Sequence, residues 1–405
     1  MKKERKPVSN RSFLGELIFR LLYTIGFGLL WLLSKLLFTF RVRRDPAWRK
    51  LDGPVLILAN HQSFLDPLFA LVAMGPRPAR FVVGQFLFHG SFRPLLQYMQ
   101  AIPIQQFTVD IRAVREMTRA LRNQERVFVY PEGQRSIDGS SLPFSADVLD
   151  FAKRNKASVV TLKLSGAYLA WPRWLKGPFR LGPVRAELKL LCRPEDLQRL
   201  GKEHYADKLK SALYQDEHAW ARKKRRRYLS SRKVPGLHLI LHRCPCCNCP
   251  ESLNSSRREL TCSSCGAIYR FKIDLSFTKR NAEGIEVPAE FSDIAAWHAW
   301  QIVEERKFQL SSGGSEELIH NCSWKLLELK NGKTIEEGRG RYRLYSGTLL
   351  LEKEEQGQLS LSLFGRRGIM FSQGEYIQIT TAEGLLRIYP DNPYQVIRLV
   401  DMLLD

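Results

Sequence analysis

Six of the eight cysteines of this 405-residue chain lie between residues 244 and 265, and this clustering is the strongest constraint on its fold. Two pairs have the Cys-x2-Cys spacing of metal-binding knuckles: Cys244 with Cys247, and Cys262 with Cys265. Cys246 and Cys249 have the same spacing and are an alternative first pair. Four thiolates fill a tetrahedral site, so we expect a structural zinc ion that folds a small ribbon.

The remaining cysteines, Cys192 and Cys322, stand alone, which is a poor layout for a disulfide framework and indicates a reducing compartment. The formal net charge of +22 predicts a polyanionic partner. This partner could be an anionic membrane, a phosphorylated substrate or nucleic acid, and the charge does not distinguish between them.

An apolar segment lies near the amino terminus. Residues 21–33 are apolar, Gly, Thr or Tyr, and the apolar character resumes after Lys35 and continues to Phe40. Its length approaches the ~20 residues of a spanning helix. Basic residues flank both ends of the segment, so their charge does not indicate which end would face the cytoplasm. Such a segment suits an interfacial helix as well as a spanning one. We expect residues 1–48 to form a membrane-associating helical segment, and a buried helix of a soluble core is the alternative.

Short apolar runs of strand type alternate with helical patterns after this segment. The runs are residues 55–59, 126–130, 158–164 and 185–191. Strands that alternate with helices predict an α/β domain, which we place at residues 49–192.

The rest of the chain changes character twice. Residues 193–235 are polar, helical in pattern and end in a basic run, so we predict a linker. The ribbon is expected at residues 236–274. Residues 275–405 alternate like strands and end in an amphipathic helical pattern, which predicts a mostly β domain similar to the pleckstrin-homology type.

A histidine and an aspartate follow the first strand run. His61 and Asp66 are separated by four residues, and a turn between them brings the carboxylate to the imidazole. A carboxylate in that position fixes the tautomer of a general base and stabilises its imidazolium form. Asp66 followed by Pro67 is also an ordinary helix start, and both interpretations can hold together.

A second motif follows the strand run that ends at Tyr130. Pro131 and Gly133 enclose Glu132 in a tight loop that exposes backbone amides, and Arg135 offers a planar fork suited to phosphate. The alternative is a plain surface turn. The order of the two motifs, about seventy residues apart, favours a shared site.

These motifs resemble those of the 1-acyl-glycerol-3-phosphate acyltransferase family over about residues 12–190. The family's Asn-His-x4-Asp motif is matched by Asn60, His61 and Asp66. Its Phe-Pro-Glu-Gly-Thr-Arg-Ser motif is matched with Tyr130 for Phe and Gln134 for Thr.

The resemblance implies a mixed sheet flanked by helices and a direct transfer without an acyl-enzyme. His61 would deprotonate an acceptor hydroxyl, Asp66 would orient it, and Glu132, Gly133 and Arg135 would hold the acceptor's phosphate. The implied donor is acyl-CoA or acyl carrier protein. The implied acceptor is a lysophospholipid, by default 1-acyl-glycerol-3-phosphate, in phospholipid synthesis at the cytoplasmic face of a membrane.

One departure concerns the acceptor. The family's second motif usually carries an Arg after a short strand, whereas this chain has Gln105 and Gln106 there. A different lysophospholipid is therefore an alternative acceptor. A second hypothesis is a zinc-ribbon adaptor for nucleic acid or protein with a degenerate acyltransferase domain. Nucleic acid is not the expected partner, because the basic run lacks interleaved aromatic residues.

Overall fold

The structure is a computed structural model, and it describes residues 13–107, 109–231, 234–281, 283–311, 320–328, 332–345, 348–354, 357–362 and 369–403. The chain divides into two compact units. The first comprises the described residues of Met1–Gln105, Asp110–Arg173 and Phe179–Leu229. The second comprises those of Gln106–Val109, Trp174–Pro178 and Ser230–Asp405.

The first unit is an α/β structure. Its helices are α1 (Phe13–Phe38), α2 (Asp66–Met74), α3 (Arg93–Tyr98), α4 (Ile111–Arg122), α5 (Val148–Arg154), α6 (Ala167–Ala170), α7 (Pro194–Leu213) and α8 (Glu217–Lys223). Its strands are β1 (Arg41–Arg44), β2 (Val55–Ala59), β3 (Arg80–Gly84), β4 (Ile102–Ile104), β5 (Arg126–Val129), β6 (Ser158–Ser165) and β7 (Arg185–Cys192).

The seven strands form one mixed sheet in the order β1-β7-β6-β2-β5-β3-β4. Every neighbouring pair is parallel except β6 and β7. The α/β class and the mixed sheet predicted from the sequence are confirmed. Because β2 and β5 are parallel and pair Leu58 with Val129, the loops that follow these strands emerge side by side.

Helix α7, which lies in the stretch predicted as a linker, packs in the core on one side of this sheet. Leu197, Leu209 and Leu213 of α7 are buried in the same cluster as Leu56 and Leu58 of β2. Burial of large aliphatic side chains stabilises a fold by about 1.5–3 kcal/mol each. Helix α7 is therefore part of the α/β unit.

Strand β1 lies in a segment that the sequence assigned to the membrane-associating part. Its four residues pair in parallel with β7, from Arg41 with Arg185 to Arg44 with Leu188. Three arginines in four residues leave no apolar alternation to detect. The pairing partner, which is distant in sequence, makes this segment a strand.

Helix α1 has 26 residues, and its last turn packs on α2, where the ring centroids of Phe38 and Phe69 are 5.2 Å apart. Ser34 is buried, one turn before Phe38. A stripe of exposed apolar residues lies along another face: Leu21, Ile25, Leu29, Leu32 and Leu36. No helix among the described residues combines the length and apolar content that crossing a membrane requires.

The second unit is mostly β, as predicted. Its strands are β8 (Leu253–Ser255), β9 (Glu259–Cys262), β10 (Ile268–Phe271), β11 (Phe277–Arg280), β12 (Glu286–Pro288), β13 (His320–Leu327), β14 (Thr334–Tyr345), β15 (Thr348–Lys353), β16 (Gly357–Ser362), β17 (Met370–Ser372), β18 (Tyr376–Thr380) and β19 (Leu385–Pro390). Its helices are α9 (Ile294–Ser311) and α10 (Tyr394–Leu403).

These strands form two antiparallel sheets. Strands β8 to β12 form the first, so segments before and after residue 274 share one sheet. The second has the order β16-β15-β14-β13-β19-β18-β17, and α10 closes the chain as the amphipathic pattern predicted. The likeness to the pleckstrin-homology type stays a prediction.

Candidate active site and metal site

Residues 60–66, which we call the histidine turn, connect β2 to α2. His61 Nδ1 donates a 2.8 Å hydrogen bond to Asp66 Oδ2. The same oxygen accepts the backbone N–H groups of Gln62, at 2.5 Å, and Ser63, at 2.8 Å. Asp66 is the first residue of α2 and is fully buried. All three of these hydrogen bonds join its side chain to residues of the histidine turn. This arrangement leaves His61 Nε2 as the nitrogen that can accept a proton.

Glu132 holds the two motif loops together. Its Oε1 accepts the backbone N–H of His61 and its Oε2 accepts that of Leu142, both at 3.1 Å. Burial raises the pKa of Glu132 to about 8, and the charge of Asp66 adds to the increase. The resemblance implied that Glu132 contacts phosphate, whereas both its oxygens engage the protein backbone. These bonds place Glu132 between the two motif loops, and its contact with phosphate stays a prediction.

Further contacts hold the histidine in place. The ring of Tyr130 stacks on that of His61, with centroids 4.0 Å apart. The Asn60 side chain bonds both backbone groups of Leu164 on β6, at 2.9 and 2.7 Å. The backbone N–H of Ser136 donates to the His61 carbonyl at 2.8 Å. His61 is therefore held by contacts from the segments of both neighbouring strands, β5 and β6.

The loop after β5 brings Arg135 to the histidine turn. Gly133 adopts a φ of 74°, a conformation that glycine reaches without steric cost. The Arg135 guanidinium lies 5.4 Å from the centroid of the Phe64 ring. Burial lowers the pKa of Arg135, and the charge of Asp66 opposes that shift. An arginine remains charged under such a shift, so it can bind an anion here.

The second-motif region lies elsewhere in the sheet. Strand β4, which precedes Gln105, is the edge strand beyond β3. The backbone N–H of Gln105 donates to Asp110, whose side chain also caps α4 through Ala113. This segment organises the start of α4.

Sequence reasoning missed Arg173, which follows α6. Its Nη1 donates a 3.2 Å hydrogen bond to the Arg135 carbonyl. Nothing in the spacing of the motifs points to this residue, because the chain returns to the site only after β6 and α6. The tertiary structure alone brings Arg173 here.

Burial lowers the pKa of His61, the hydrogen bond and charge of Asp66 oppose the shift, and the charges of Arg135 and Arg173 lower it further. The sum of these effects places the pKa of His61 below its ordinary value. His61 is therefore mainly neutral at pH 7, which is the state a general base needs.

The predicted ligands Cys244, Cys247, Cys262 and Cys265 lie together. Their Sγ atoms are all within 4.8 Å of one another and form a group that can hold a metal ion. The sulfur of Cys244 is 3.8 Å from that of Cys265, and Cys247 is 3.7 Å from Cys262. Four sulfurs bound at about 2.3 Å around a tetrahedral zinc ion lie about 3.8 Å apart. The donor set therefore fits such an ion, and Cys246 and Cys249 lie outside it.

The loop between the cysteine pairs is tied to both helices of the second unit. Arg398 of α10 donates to Glu251 in that loop and, at 3.0 Å, to Glu305 of α9. Glu305 also accepts a 2.7 Å bond from Arg243, the neighbour of Cys244. These ion pairs join Arg243, Glu305, Arg398 and Glu251 in one connected network.

Residues 40–165, which contain both motifs, match the family model described as Acyltransferase. This part of the chain is similar to several 1-acyl-sn-glycerol-3-phosphate acyltransferases. The Limnanthes douglasii enzyme is 34% identical over 82 residues, which cover 20% of this chain and 28% of the relative.

The enzyme of that name from Cocos nucifera is 25% identical over 167 residues, 40% of this chain and 53% of the relative. The beta form from Homo sapiens is 25% identical over 164 residues, 40% of this chain and 54% of the relative. The chain thus spans about half or less of the length of these curated relatives. A solved structure, the 1-acyl-sn-glycerophosphate acyltransferase PlsC from Thermotoga maritima, is 22% identical with a TM-score of 0.37, covering 48% of this chain and 77% of that chain.

Proposed function

We propose that this protein transfers a fatty acyl chain from acyl-CoA or acyl carrier protein to a hydroxyl of a lysophospholipid-type acceptor, by default 1-acyl-glycerol-3-phosphate. The observation that carries the proposal is the 2.8 Å bond between His61 and Asp66, in a turn that Glu132 joins to the loop of Arg135. The names of the relatives, 1-acyl-sn-glycerol-3-phosphate acyltransferase, support acyl transfer to that acceptor.

The reaction needs one proton carrier and no covalent enzyme intermediate. His61 Nε2 takes the proton of the acceptor hydroxyl while that oxygen attacks the thioester carbonyl carbon. The new C–O ester bond forms, the C–S bond breaks, and the imidazolium returns its proton to the leaving thiolate. Asp66 stabilises the imidazolium, and a base so placed contributes about 10²- to 10⁴-fold in rate.

A transfer assay with the full-length chain tests this proposal. Labelled palmitoyl-CoA and palmitoyl acyl carrier protein are each offered with lysophosphatidic acid and other lysophospholipids. We expect thioester loss that depends on the acceptor and yields the diacyl product. Hydrolysis independent of acceptor would contradict the proposal, and salt-sensitive nucleic-acid binding without transfer would favour the adaptor hypothesis.

We further propose that α1 lies in the membrane interface at the cytoplasmic face. The exposed stripe is the support: Leu21 and Ile25 are each 60% exposed, and Leu36 is 69% exposed. The exposed residues Arg41 and Arg43 follow the helix and suit anionic headgroups. An apolar face flanked by cations is typical of interfacial binding.

Vesicle sedimentation tests this orientation. Replacing both Ile25 and Leu29 with Glu is expected to reduce binding to anionic phosphatidylglycerol vesicles by at least tenfold, because each loses about 1 kcal/mol of apolar transfer and gains a charge. Leu200→Glu is the matched control, since Leu200 is an exposed leucine of α7. Unchanged binding of the double variant would contradict interfacial docking by α1.

We also propose that zinc occupies the cysteine site. Thiolates favour zinc over hard cations, and four protein ligands leave no position for a substrate. The ion would thus be structural, and it would crosslink the turn at Cys247 to the hairpin of β9 and β10.

A further inference from the structure

The rings of His61 and Tyr130 lie face to face. Their planes are inclined by 14° and their centroids are 4.0 Å apart. Both residues lie just beyond the ends of parallel neighbouring strands, since β2 and β5 pair Leu58 with Val129. Phe128 of β5, which is fully buried, meets the Tyr130 ring edge-on at 5.0 Å. The sheet therefore holds one face of the Tyr130 ring against the imidazole.

The surroundings of His61 mostly oppose its protonation. Burial is the largest effect and lowers the pKa of His61, and the hydrogen bond and charge of Asp66 oppose it. The charges of Arg135 and Arg173 lower that pKa further. Glu132 accepts the backbone N–H of His61, and burial raises the pKa of that carboxyl to about 8. A further group that stabilises the imidazolium would therefore ease proton transfer to this base.

The Tyr130 ring can stabilise a cation without carrying a charge of its own. The face of an aromatic ring is negative, and it attracts a cation within about 6 Å of the ring centroid. The 4.0 Å separation of the two rings places an imidazolium inside that distance. Burial raises the pKa of Tyr130 well above its ordinary value, so the phenol stays neutral. The contact is an ordinary aromatic stack while His61 is neutral, and it gains this attraction when the proton arrives.

We infer that Tyr130 is a positioning residue whose ring face stabilises the positive charge that His61 acquires when it takes the proton of the acceptor hydroxyl. The inference rests on the proposed transfer function. Asp66 Oδ2 bonds Nδ1 at the edge of the imidazole ring, at 2.8 Å, and Tyr130 covers one face of that ring. An interaction that strengthens as charge develops lowers the barrier rather than tightening substrate binding.

Replacement of Tyr130 by pentafluorophenylalanine in the full-length chain tests the inference. The fluorine atoms withdraw electrons and reverse the polarity of the ring face, while the ring keeps its size and its stacking. We expect titration of the His61 ring, followed by NMR, to move to lower pH by about one pH unit. Tyr130→Phe keeps the negative face and should titrate like the wild type. Pentafluorophenylalanine in place of Tyr214, an exposed tyrosine that follows α7, is the matched control and should move nothing.

Transfer kinetics give a second measurement. The fluorinated residue at position 130 should lower kcat by about 3- to 30-fold with little change in KM, because the lost attraction belongs to the protonated state. The acid limb of kcat should move to lower pH with the titration, and Tyr130→Phe should keep both at wild-type values. Tyr130→Leu gives the same test if the fluorinated chain is unstable. Water that enters in place of the ring would raise the pKa of His61, so a fall still reports the lost ring face.

The outcomes separate this inference from the proposed function. A titration that moves to lower pH, in a wild-type background that transfers no acyl chain, would support stabilisation of the imidazolium by Tyr130 and contradict the function. Active transfer with an unmoved or raised titration would overturn the inference alone. Equal effects of Tyr130→Phe and of the fluorinated residue would assign the effect to the phenol hydroxyl and overturn it as well.

Discussion

Replacing His61 with alanine is expected to lower acyl transfer by about 10²- to 10⁴-fold, because the acceptor hydroxyl then loses its positioned base. The fold should persist, since Asp66 keeps its hydrogen bonds from Gln62 and Ser63. We expect the free energy of unfolding to fall by no more than about 2 kcal/mol, which reflects lost stacking on Tyr130. Initial rates and thermal unfolding of the same preparation measure both effects.

The matched control is His204→Ala, because His204 is an exposed histidine of α7. It should keep wild-type rates. His61→Gln provides a variant of closer size if the alanine variant is unstable. Turnover retained in both His61 variants would remove the histidine from the mechanism and leave the turn with a structural role.

Loss of the proposed zinc ion is expected to have the largest effect on stability. Structural zinc contributes on the order of 10 kcal/mol to folding a small knuckle pair, so Cys247→Ser should lose the ion and unfold the ribbon. The effect should extend to α9 and α10, because Arg398 connects the loop of Glu251 to both helices. Zinc content per chain and hydrogen exchange in β9, β10 and α10 measure the loss.

Cys246→Ser is the matched control for this experiment. Cys246 is the neighbouring residue and is also exposed, but it lies outside the group of four sulfurs. It should retain one zinc ion per chain and wild-type protection. Equal zinc loss in the two variants would indicate that the alternative pair, Cys246 and Cys249, supplies ligands. Full zinc retention in Cys247→Ser would contradict the proposed ligand set.

The elements that the sequence predicted well are those with a strong local pattern. Strand β2 has five buried residues and reads as a continuous apolar run. The short strands β1 and β4 were not predicted, because neither has enough residues to show a period. Helix α7 was predicted as helical but placed in a linker, because its buried leucines are spaced among many charges. Local patterns predict an element better than they predict what it packs against.

The sequence by itself predicted that His61 meets Asp66 and that Cys262 pairs with Cys265, because short spacings bring these groups together through one local turn. It left two candidates for the first cysteine pair, and the structure groups Cys244 and Cys247 with the second pair. The tertiary structure alone decided that Glu132 joins the two motif loops and that Arg173 lies beside Arg135. Those contacts depend on strands distant in the chain meeting at one edge of a sheet. The spacing of residues in the sequence cannot predict these contacts, because the lengths of the intervening helices and loops do not determine which strands become neighbours.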